Sequence, residues 1–259
     1  MDKRGQVALF IILGVVIVLV LGFIFFQRGI IIKEKGAEET DEHFVSSRLE
    51  PIKTLVQNCV GESALKGLIL IGKQGGYYDP VRYESLSGFN VSYGCYKINN
   101  EYVNLLPLVS KMNDEFKKYM ANSDTKKDLD KCINNFNDFK KQGLNVKEGI
   151  LRLDSNILEN KVTLTINYPL EVSKSDYTAT LKSMLVEVPV GLGRAHRIAV
   201  DIANKECNNQ EFDFDSLGLG DPTVTSSVQG YNGNKIIYLK TIPTTPKEIP
   251  IDFDFIIQQ

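Results

Sequence analysis

The side chains that could carry metal or acid–base chemistry are few in this sequence. The chain of 259 residues contains two histidines, four cysteines and no tryptophan. His43 stands in a charged stretch, which predicts a solvated side chain. His196 stands between two nearby arginines close to a predicted helix start, which predicts a surface or capping position. Neither histidine has the cysteine or histidine spacing of a zinc site, so the sequence predicts no metal, no cofactor and no catalytic residue.

Two glycine-containing segments have part of the pattern of a phosphate site. Gly191-Leu192-Gly193-Arg194 lies between a predicted strand and a predicted helix, and a helix N-terminus there could hold an anion. The third glycine of the dinucleotide fingerprint is missing, however. The segment 72–76, GKQGG, likewise lacks the order and the hydroxyl residue of a P-loop. Both segments are therefore predicted to be turns.

An acidic run near the C-terminal third could bind calcium, whose preferred ligands are oxygen atoms. It consists of Glu211, Asp213, Asp215 and Asp221. Alternation with apolar residues would place three of these carboxylates on one strand face or around a loop. The residue order of an EF-hand is missing, so a solvated edge is predicted in preference to a calcium site.

The four cysteines permit three disulfide connectivities. Cys59 shares a helical stripe with Leu55 and Val56, and Cys132 shares one with Leu129. Two core-facing cysteines on neighbouring helices can be bridged when their Cα atoms approach to about 5.5 Å. This pattern favours a pair between Cys59 and Cys132, which leaves Cys95 with Cys207. Four reduced, buried thiols are the alternative.

An apolar stretch near the N-terminus has the length of a membrane span. Residues 7–26 read VALFIILGVVIVLVLGFIFF, and no charge occurs between Arg4 and Arg28. About 20 apolar residues in a helix cross a hydrocarbon core of about 30 Å. A cleaved secretory signal, the main alternative, has a shorter apolar region and a small-residue cleavage site. We predict an uncleaved transmembrane anchor over residues 6–27.

The orientation of this anchor depends on weak signals. Lysine and arginine flank the stretch on both sides, so the positive-inside rule is close to a tie. An even set of cysteines without metal spacing favours an oxidising compartment, and hence a C-terminal part outside the cell membrane. In that case Asn90-Val91-Ser92 is a candidate glycosylation site. The net charge of −2 argues against a general nucleic-acid-binding protein.

The N-terminus is similar to a known type of signal. Lys3-Arg4-Gly5-Gln6, followed at once by the apolar run, resembles the archaeal class III signal of type IV pilins and archaellins. The resemblance implies peptidase cleavage between Gly5 and Gln6, a leader of residues 1–5, and an apolar helix that stays on the mature chain. These pilins carry a glutamate at the fifth mature position, which is Phe10 here. The resemblance therefore implies an anchor, with filament formation as its narrower form.

Four further segments resemble a group of membrane-anchored proteins from small-genome archaea. They are residues 59–78, 132–136, 167–170 and 188–190. This resemblance implies an anchored, extracytoplasmic chain and no particular activity.

Hydrophobic periodicity predicts an α+β fold, with helices first and then a mostly antiparallel sheet crossed by one helix. A charged stalk over 28–44 precedes an extracytoplasmic domain over 45–259, helical in 45–143 and mainly β in 144–259. A first helix runs from Val45 to Gly72 or to Gly75-Gly76, and Pro51 either starts or bends it. Residues 77–104 are predicted to be loop-rich, with a short hairpin at Asn99-Asn100.

The remaining elements follow from period changes and turn residues. Two more helices cover 107–120 and 124–143, the second capped by Asp124 and stopped by Gly143. Residues 149–153 are predicted to be short and extended. Strands follow over 161–172 and 177–190, then a helix over 192–205, a hairpin of 223–229 with 235–241, and a last strand over 249–257.

Together these patterns predict a single-pass, membrane-anchored extracytoplasmic structural or interaction protein, in its narrower form a pilin-like subunit. Its partners would be membrane lipid through residues 6–27 and a protein partner or a second copy, with no nucleic acid. The alternative is a membrane-tethered enzyme, for instance an envelope-directed hydrolase, whose site is not visible in the sequence.

Overall fold

The computed structural model describes residues 40–208 and 221–259. Residues 45–259 form a compact unit of the α+β class, as the sequence predicts. The leader with Gly5 and Gln6, the anchor and most of the stalk lie outside the described residues. Within the described ranges, none of the helices combines the length and the apolar character that crossing a bilayer requires.

The first helix, α1, covers Asp41–Lys73 and continues through Pro51. Its buried side chains recur at helical spacing and include Ile52, Val56 and Cys59. The helix ends as predicted at glycines, since Gly75 and Gly76 have φ of +66° and +94° and the Gly76 N–H donates to the carbonyl of Ile71 at 2.8 Å. The helix begins at Asp41, at the end of the charged stalk, so the alternative in which Pro51 starts it is wrong.

The prediction of a loop-rich segment over 77–104 is wrong. Three strands occupy it, β1 (Tyr83–Leu86), β2 (Phe89–Ile98) and β3 (Glu101–Asn104). The predicted hairpin is confirmed, since Asn99 and Asn100 have φ of 51° and 68° and join β2 to β3. Tyr83, Tyr93, Tyr96 and Tyr102 lie in these strands, for which aromatic side chains have a high propensity.

The helical region that follows has α2 (Val109–Ala121), α3 (Ser123–Ile133), a 3₁₀ turn (Asn134–Phe136) and the one-turn α4 (Asn137–Lys140). Asn122, and not Asp124, caps α3, because its side chain accepts the N–H groups of Asp124 and Thr125 at 2.9 and 2.8 Å. The long helix predicted up to Gly143 is wrong. Positive φ values at three residues in a row, 134–136, end α3 before that glycine.

One antiparallel sheet contains β4 (Asn145–Glu148), β5 (Arg152–Ile157), β6 (Val162–Lys174) and β7 (Tyr177–Val188). The central strand β6 pairs with β4 and β5 along one edge and with β7 along the other. Its alternation of buried and exposed residues confirms the predicted period of two.

A second sheet joins both halves of the chain. Helix α5 (Leu192–Cys207) precedes strands β8 (Val224–Tyr231), β9 (Asn234–Thr241) and β10 (Asp252–Ile257). The strand order is β1-β2-β10-β9-β8, with β3 beside β2. Strand β10 is parallel to β2 and antiparallel to β9. The predicted division into a helical and a β part is therefore wrong, because β2 belongs to the same sheet as the last three strands.

Two disulfides link these layers. Cys59 of α1 pairs with Cys132 of α3, and Cys95 of β2 pairs with Cys207 of α5, at Cα separations of 5.7 and 5.6 Å. These are the two pairs that the helix pattern favours. The placement of Cys132 differs from the prediction, since Cys59 is buried whereas Cys132 lies at the surface.

Candidate binding groove

A groove with a mainly apolar lining lies between helices α2 and α3 and the segment that joins β4 to β5. It encloses about 550 Å³, a size that suits a small ligand or a few side chains of a partner. Met120, Leu129 and Ile133 line it from the helices, and Ile150 and Leu153 line it from the sheet.

A β-bulge opens this groove. Glu148 of β4 pairs with Leu170 and Arg152 of β5 pairs with Asn167, so the three residues that join β4 to β5 lie opposite two residues of β6. The Gly149 N–H donates to the carbonyl of Pro169 at 2.7 Å, so the bulged segment stays attached. Ile150 projects from the bulge and is 75% exposed.

Proline is the reason that the bulge lies at this point of β6. Pro169 has no N–H for the ladder, and prolines within sheets occur at bulges or edges. The pairing of β6 with β7 also shifts between Asn167 and Leu170. Both edges of β6 are thus irregular at Tyr168-Pro169, and the groove forms where the regular sheet is interrupted.

The polar centre of the groove is a tyrosine–carboxylate pair. The Tyr168 hydroxyl donates to Oε2 of Glu148, and Tyr168 is almost entirely buried. Burial raises the pKa of Tyr168 well above its usual value, and the hydrogen bond to Glu148 raises it further. The phenol therefore stays protonated at physiological pH, which suits a fixed hydrogen-bond donor and not a general base.

Charges of both signs surround the apolar lining. Lys117, Lys126 and Arg152 lie at the groove together with Asp130 and Glu148. Lys117 is paired with Asp154 outside the lining at 3.1 Å. A mainly apolar lining interspersed with charges of both signs is typical of an interaction surface.

His196 is not at the surface, and this prediction is wrong. Its ring is buried on α5, where Nε2–H donates to the carbonyl of Pro107 at 2.6 Å and the ring packs edge-on against Phe253. Burial lowers the pKa of His196 although the bond to Pro107 opposes the shift. The histidine is therefore a neutral core residue that joins α5 to the start of α2.

Arg194 is occupied by protein groups and not available for an anion. Its guanidinium donates to Glu248 at 2.6 Å, to the carbonyl of Ile242 at 3.3 Å and to Asn160. Gly191 lies directly beneath this ion pair, so a Cβ there would fall 2.7 Å from the guanidinium. The segment 191–194 is the predicted strand-to-helix turn.

The other predicted site residues lie apart from one another. His43 is in the exposed first turn of α1, and Asn90 lies in β2 with its Oδ1 accepting from Ser85 at 2.9 Å. Asp221 pairs with Arg197 at 2.9 Å and accepts the Thr223 N–H at 3.0 Å. Glu211, Asp213 and Asp215 are outside the described residues. Across residues 40–208 and 221–259, no three His, Cys, Asp or Glu side chains gather to hold a metal.

Sequence reasoning missed the groove and its polar pair. Tyr168-Pro169 carried a usable signal, because a proline inside a strongly alternating strand indicates a bulge. Glu148 carried none, since nothing in its neighbourhood distinguishes it from a solvated carboxylate.

Comparison of the chain with protein-family models, with curated proteins and with solved structures finds no match. The functional argument therefore depends on the residues and their geometry.

Proposed function

We propose that this chain is a single-pass, membrane-anchored extracytoplasmic protein with a structural or interaction role. Residues 6–27 hold it in the bilayer, and the compact unit of residues 45–259 meets its partner outside. A pilin-like subunit, cleaved between Gly5 and Gln6, is the narrower form of the proposal.

The two disulfides carry the proposal. All four cysteines of the chain are paired, and the pairs close separations of 73 and 112 residues. Disulfides of this kind persist in oxidising compartments and are rare in the cytosol. An apolar span followed by a disulfide-linked unit is the organisation of an exported, tethered protein.

The groove supports binding in preference to catalysis. Its Tyr168 is held protonated and bonded to Glu148, and the two described histidines lie elsewhere. The groove combines apolar side chains of α3 and the bulge with charged side chains of both signs, and interfaces combine the two kinds of residue in the same way.

A membrane-tethered enzyme, such as an envelope-directed hydrolase, is the second candidate. The observation that favours it is the size of the same groove, which is in the range of small-molecule sites. In that case Glu148 would be the group to act on a substrate, and replacing it with glutamine would abolish turnover.

Intact-mass measurement on the membrane-extracted chain tests the proposal. We expect alkylation of the cysteines only after reduction, and a mass that reports whether residues 1–5 have been removed and whether Asn90 carries a glycan. Four thiols that alkylate without reductant would contradict an extracytoplasmic location.

A matched pair of variants tests the anchor itself. Val16→Asp with Leu19→Asp places two carboxylates in the apolar span, each at a cost of about 2.5–3.5 kcal/mol at the centre of a helix. We expect this variant to leave the detergent-requiring membrane fraction, whereas Val16→Leu with Leu19→Val stays in it. Recovery of the unaltered chain in the soluble fraction without detergent would refute the anchor.

A further inference from the structure

Among the described residues, strand β8 is an edge of its sheet without a second neighbouring strand, and it carries no charged side chain. It ends the strand order and pairs with β9 over residues 224–231 without a register shift. Its sequence, VTSSVQGY, contains neither a charged residue nor a proline. Edge strands with unpaired backbone groups are templates for further strand pairing, and proteins normally protect them with charges, prolines or bulges.

The other edge strands of the described part have this protection. Each of the strands β1, β3, β4, β5 and β7 contains at least one charged residue, namely Glu84, Glu101, Lys147, Arg152 and Lys182. The segment between β4 and β5 also has the bulge described above. Strand β8 is thus the described edge at which pairing with another strand meets no electrostatic obstacle.

The hydrogen bonds of the β8–β9 hairpin show which backbone N–H and C=O groups of β8 point away from β9. The Ile242 N–H donates to the carbonyl of Thr223 at 2.7 Å, and Thr241 donates to Ile251 on the opposite side of β9. Alternation along an antiparallel pair then directs the backbone groups of every second β8 residue, from Thr225 to Tyr231, towards β9. The backbone groups of Ser226, Val228 and Gly230 point away from β9, and among the described residues no hydrogen bond reaches them.

From this arrangement we infer that two copies of the chain associate through β8, paired antiparallel about a twofold axis at Val228. Ser226 of one copy then lies opposite Gly230 of the second, and Val228 lies opposite its own counterpart. Three such pairs form about six backbone hydrogen bonds, since each contributes two. The inference goes beyond the proposed function and does not require the membrane anchor.

The side chains of β8 make the strand self-complementary. On the other face of the pair, Thr225 lies opposite Tyr231 of the second copy, and Ser227 lies opposite Gln229. All of these pairs are neutral. Val228 with its counterpart and Thr225 with Tyr231 combine β-branched or aromatic residues, which are favourable cross-strand combinations. Because the strand contains no charged residue, none of its side chains requires a partner of opposite charge. A second copy of the same strand can therefore lie opposite each of its residues.

The exposure of the strand fits this use. Val228 is 42% exposed and Tyr231 is 36% exposed, although both are residue types that favour the interior of a sheet. A single strand pair buries less surface than a standard stable interface, so we expect a weak dimer whose population rises with concentration.

Cysteine cross-linking tests the register. Because the four native cysteines are all in disulfides, an introduced cysteine is the only free thiol. In the proposed pair the two Cα atoms of residue 228 are about 5.5 Å apart, within the range that a disulfide bridges. The two Cα atoms of residue 226 are about 14 Å apart by strand geometry. With oxidised glutathione as the oxidant, we expect Val228→Cys to form covalent dimers and Ser226→Cys to remain monomeric.

Sedimentation of the full chain in detergent micelles tests the association without a covalent link. Val228→Lys places two ammonium groups opposite each other, and we expect the dimer dissociation constant to rise about tenfold. Val103→Lys is the matched control, because Val103 lies on β3 with a similar exposure of 40%, and we expect it to leave the dissociation constant unchanged.

Several results would overturn the inference. An unaltered chain that stays monomeric at millimolar concentration would do so, as would equal effects of Val228→Lys and Val103→Lys. Equal cross-linking of Val228→Cys and Ser226→Cys would refute the register. Loss of membrane attachment would refute the proposed function alone, since the association is measured in the same way on a soluble chain.

Discussion

Two ion pairs in the same unit each contain a buried carboxylate. The pKa of one carboxylate is lowered, whereas the pKa of the other is raised. Arg194 with Glu248 joins the start of α5 to the segment before β10, and Lys73 with Asp254 joins the end of α1 to β10 itself. Both carboxylates are almost wholly inaccessible to solvent, at 5% and 3% exposure. Burial alone predicts a raised pKa for each of them.

The acid of the first pair has many hydrogen-bond donors. Glu248 receives Arg194 at 2.6 Å on one oxygen, and the Thr244 N–H and hydroxyl at 2.8 and 2.6 Å on the other. Burial acts to raise the pKa of Glu248, but the bonds from Thr244 and the charge of Arg194 outweigh it and hold the pKa below its usual value. This carboxylate is ionised at every physiological pH.

The acid of the second pair has few donors. Lys73 is closer to Asp252 at 2.7 Å than to Asp254 at 3.4 Å, and Oδ1 of Asp254 has no hydrogen-bond partner within the described residues. Burial raises the pKa of Asp254 to about 6, Lys73 lowers it only in part, and the nearby charge of Asp252 raises it.

Of the two buried carboxylates, the one with more hydrogen-bond donors has the lowered pKa, although both face a basic side chain. An ion pair of this kind is stabilising only where its remaining lone pairs are satisfied. We therefore expect opposite results from removing the two negative charges.

The largest effect is expected at the first pair. Glu248→Gln leaves the buried guanidinium of Arg194 without a countercharge, which is expected to lower the free energy of unfolding by about 3–5 kcal/mol. Urea unfolding of the full chain in micelles, followed by circular dichroism, measures this loss.

The double variant Arg194→Met with Glu248→Met is the control. It removes both charges and leaves none unpaired, so its loss should be smaller than that of Glu248→Gln alone. A double variant that is less stable than the single one would contradict this account of the pair.

The second pair should respond in the opposite direction. Asp254→Asn removes a charge that the fold accommodates poorly, and we expect it to raise the free energy of unfolding at pH 7.5. One pKa unit corresponds to about 1.4 kcal/mol, so a shift to about 6 from 3.8 sets a gain on the order of 3 kcal/mol.

The pH dependence identifies the cause of this gain. Between pH 4 and 6 the folded chain retains a proton on Asp254 that the unfolded chain loses, so this group makes stability fall as the pH rises through that window. The gain from Asp254→Asn should therefore be near zero at pH 4 and complete above pH 7. An equal gain at both pH values would indicate a packing effect instead.

The sequence predicted the parts of the fold that depend on local pattern. The alternating strand β6, the hairpin at Asn232-Gly233 and the glycine end of α1 follow from the period of apolar residues and from turn residues. The helical pattern also favours the pair of Cys59 with Cys132, although Cys132 lies at the surface and not on the core-facing stripe of its helix.

The parts that the sequence did not predict depend on distant contacts. His196 appeared polar and exposed beside its arginines, yet the Pro107 carbonyl, 89 positions away, takes its N–H inside the core. Strand β2 pairs with β10 through residues that are far apart in the chain, such as Tyr93 and Ile256. No local sequence pattern predicts this pairing. The groove forms for a similar reason, because its walls come from three separate elements.

The smallest change in the free energy of unfolding is expected at an exposed ion pair. This pair is a reference for the two pairs that contain a buried carboxylate. Lys161 and Glu187 lie 2.5 Å apart on the surface of the β6–β7 sheet, with side chains 42% and 49% exposed. Water solvates either charge when its partner is absent, so Glu187→Gln should change the free energy of unfolding by no more than about 0–1 kcal/mol. Repeating the urea titration in 1 M salt should reduce even this change, because exposed charges are screened. A loss at Glu187 as large as that at Glu248 would mean that removal of a charge destabilises this protein whether or not the charge left behind is buried.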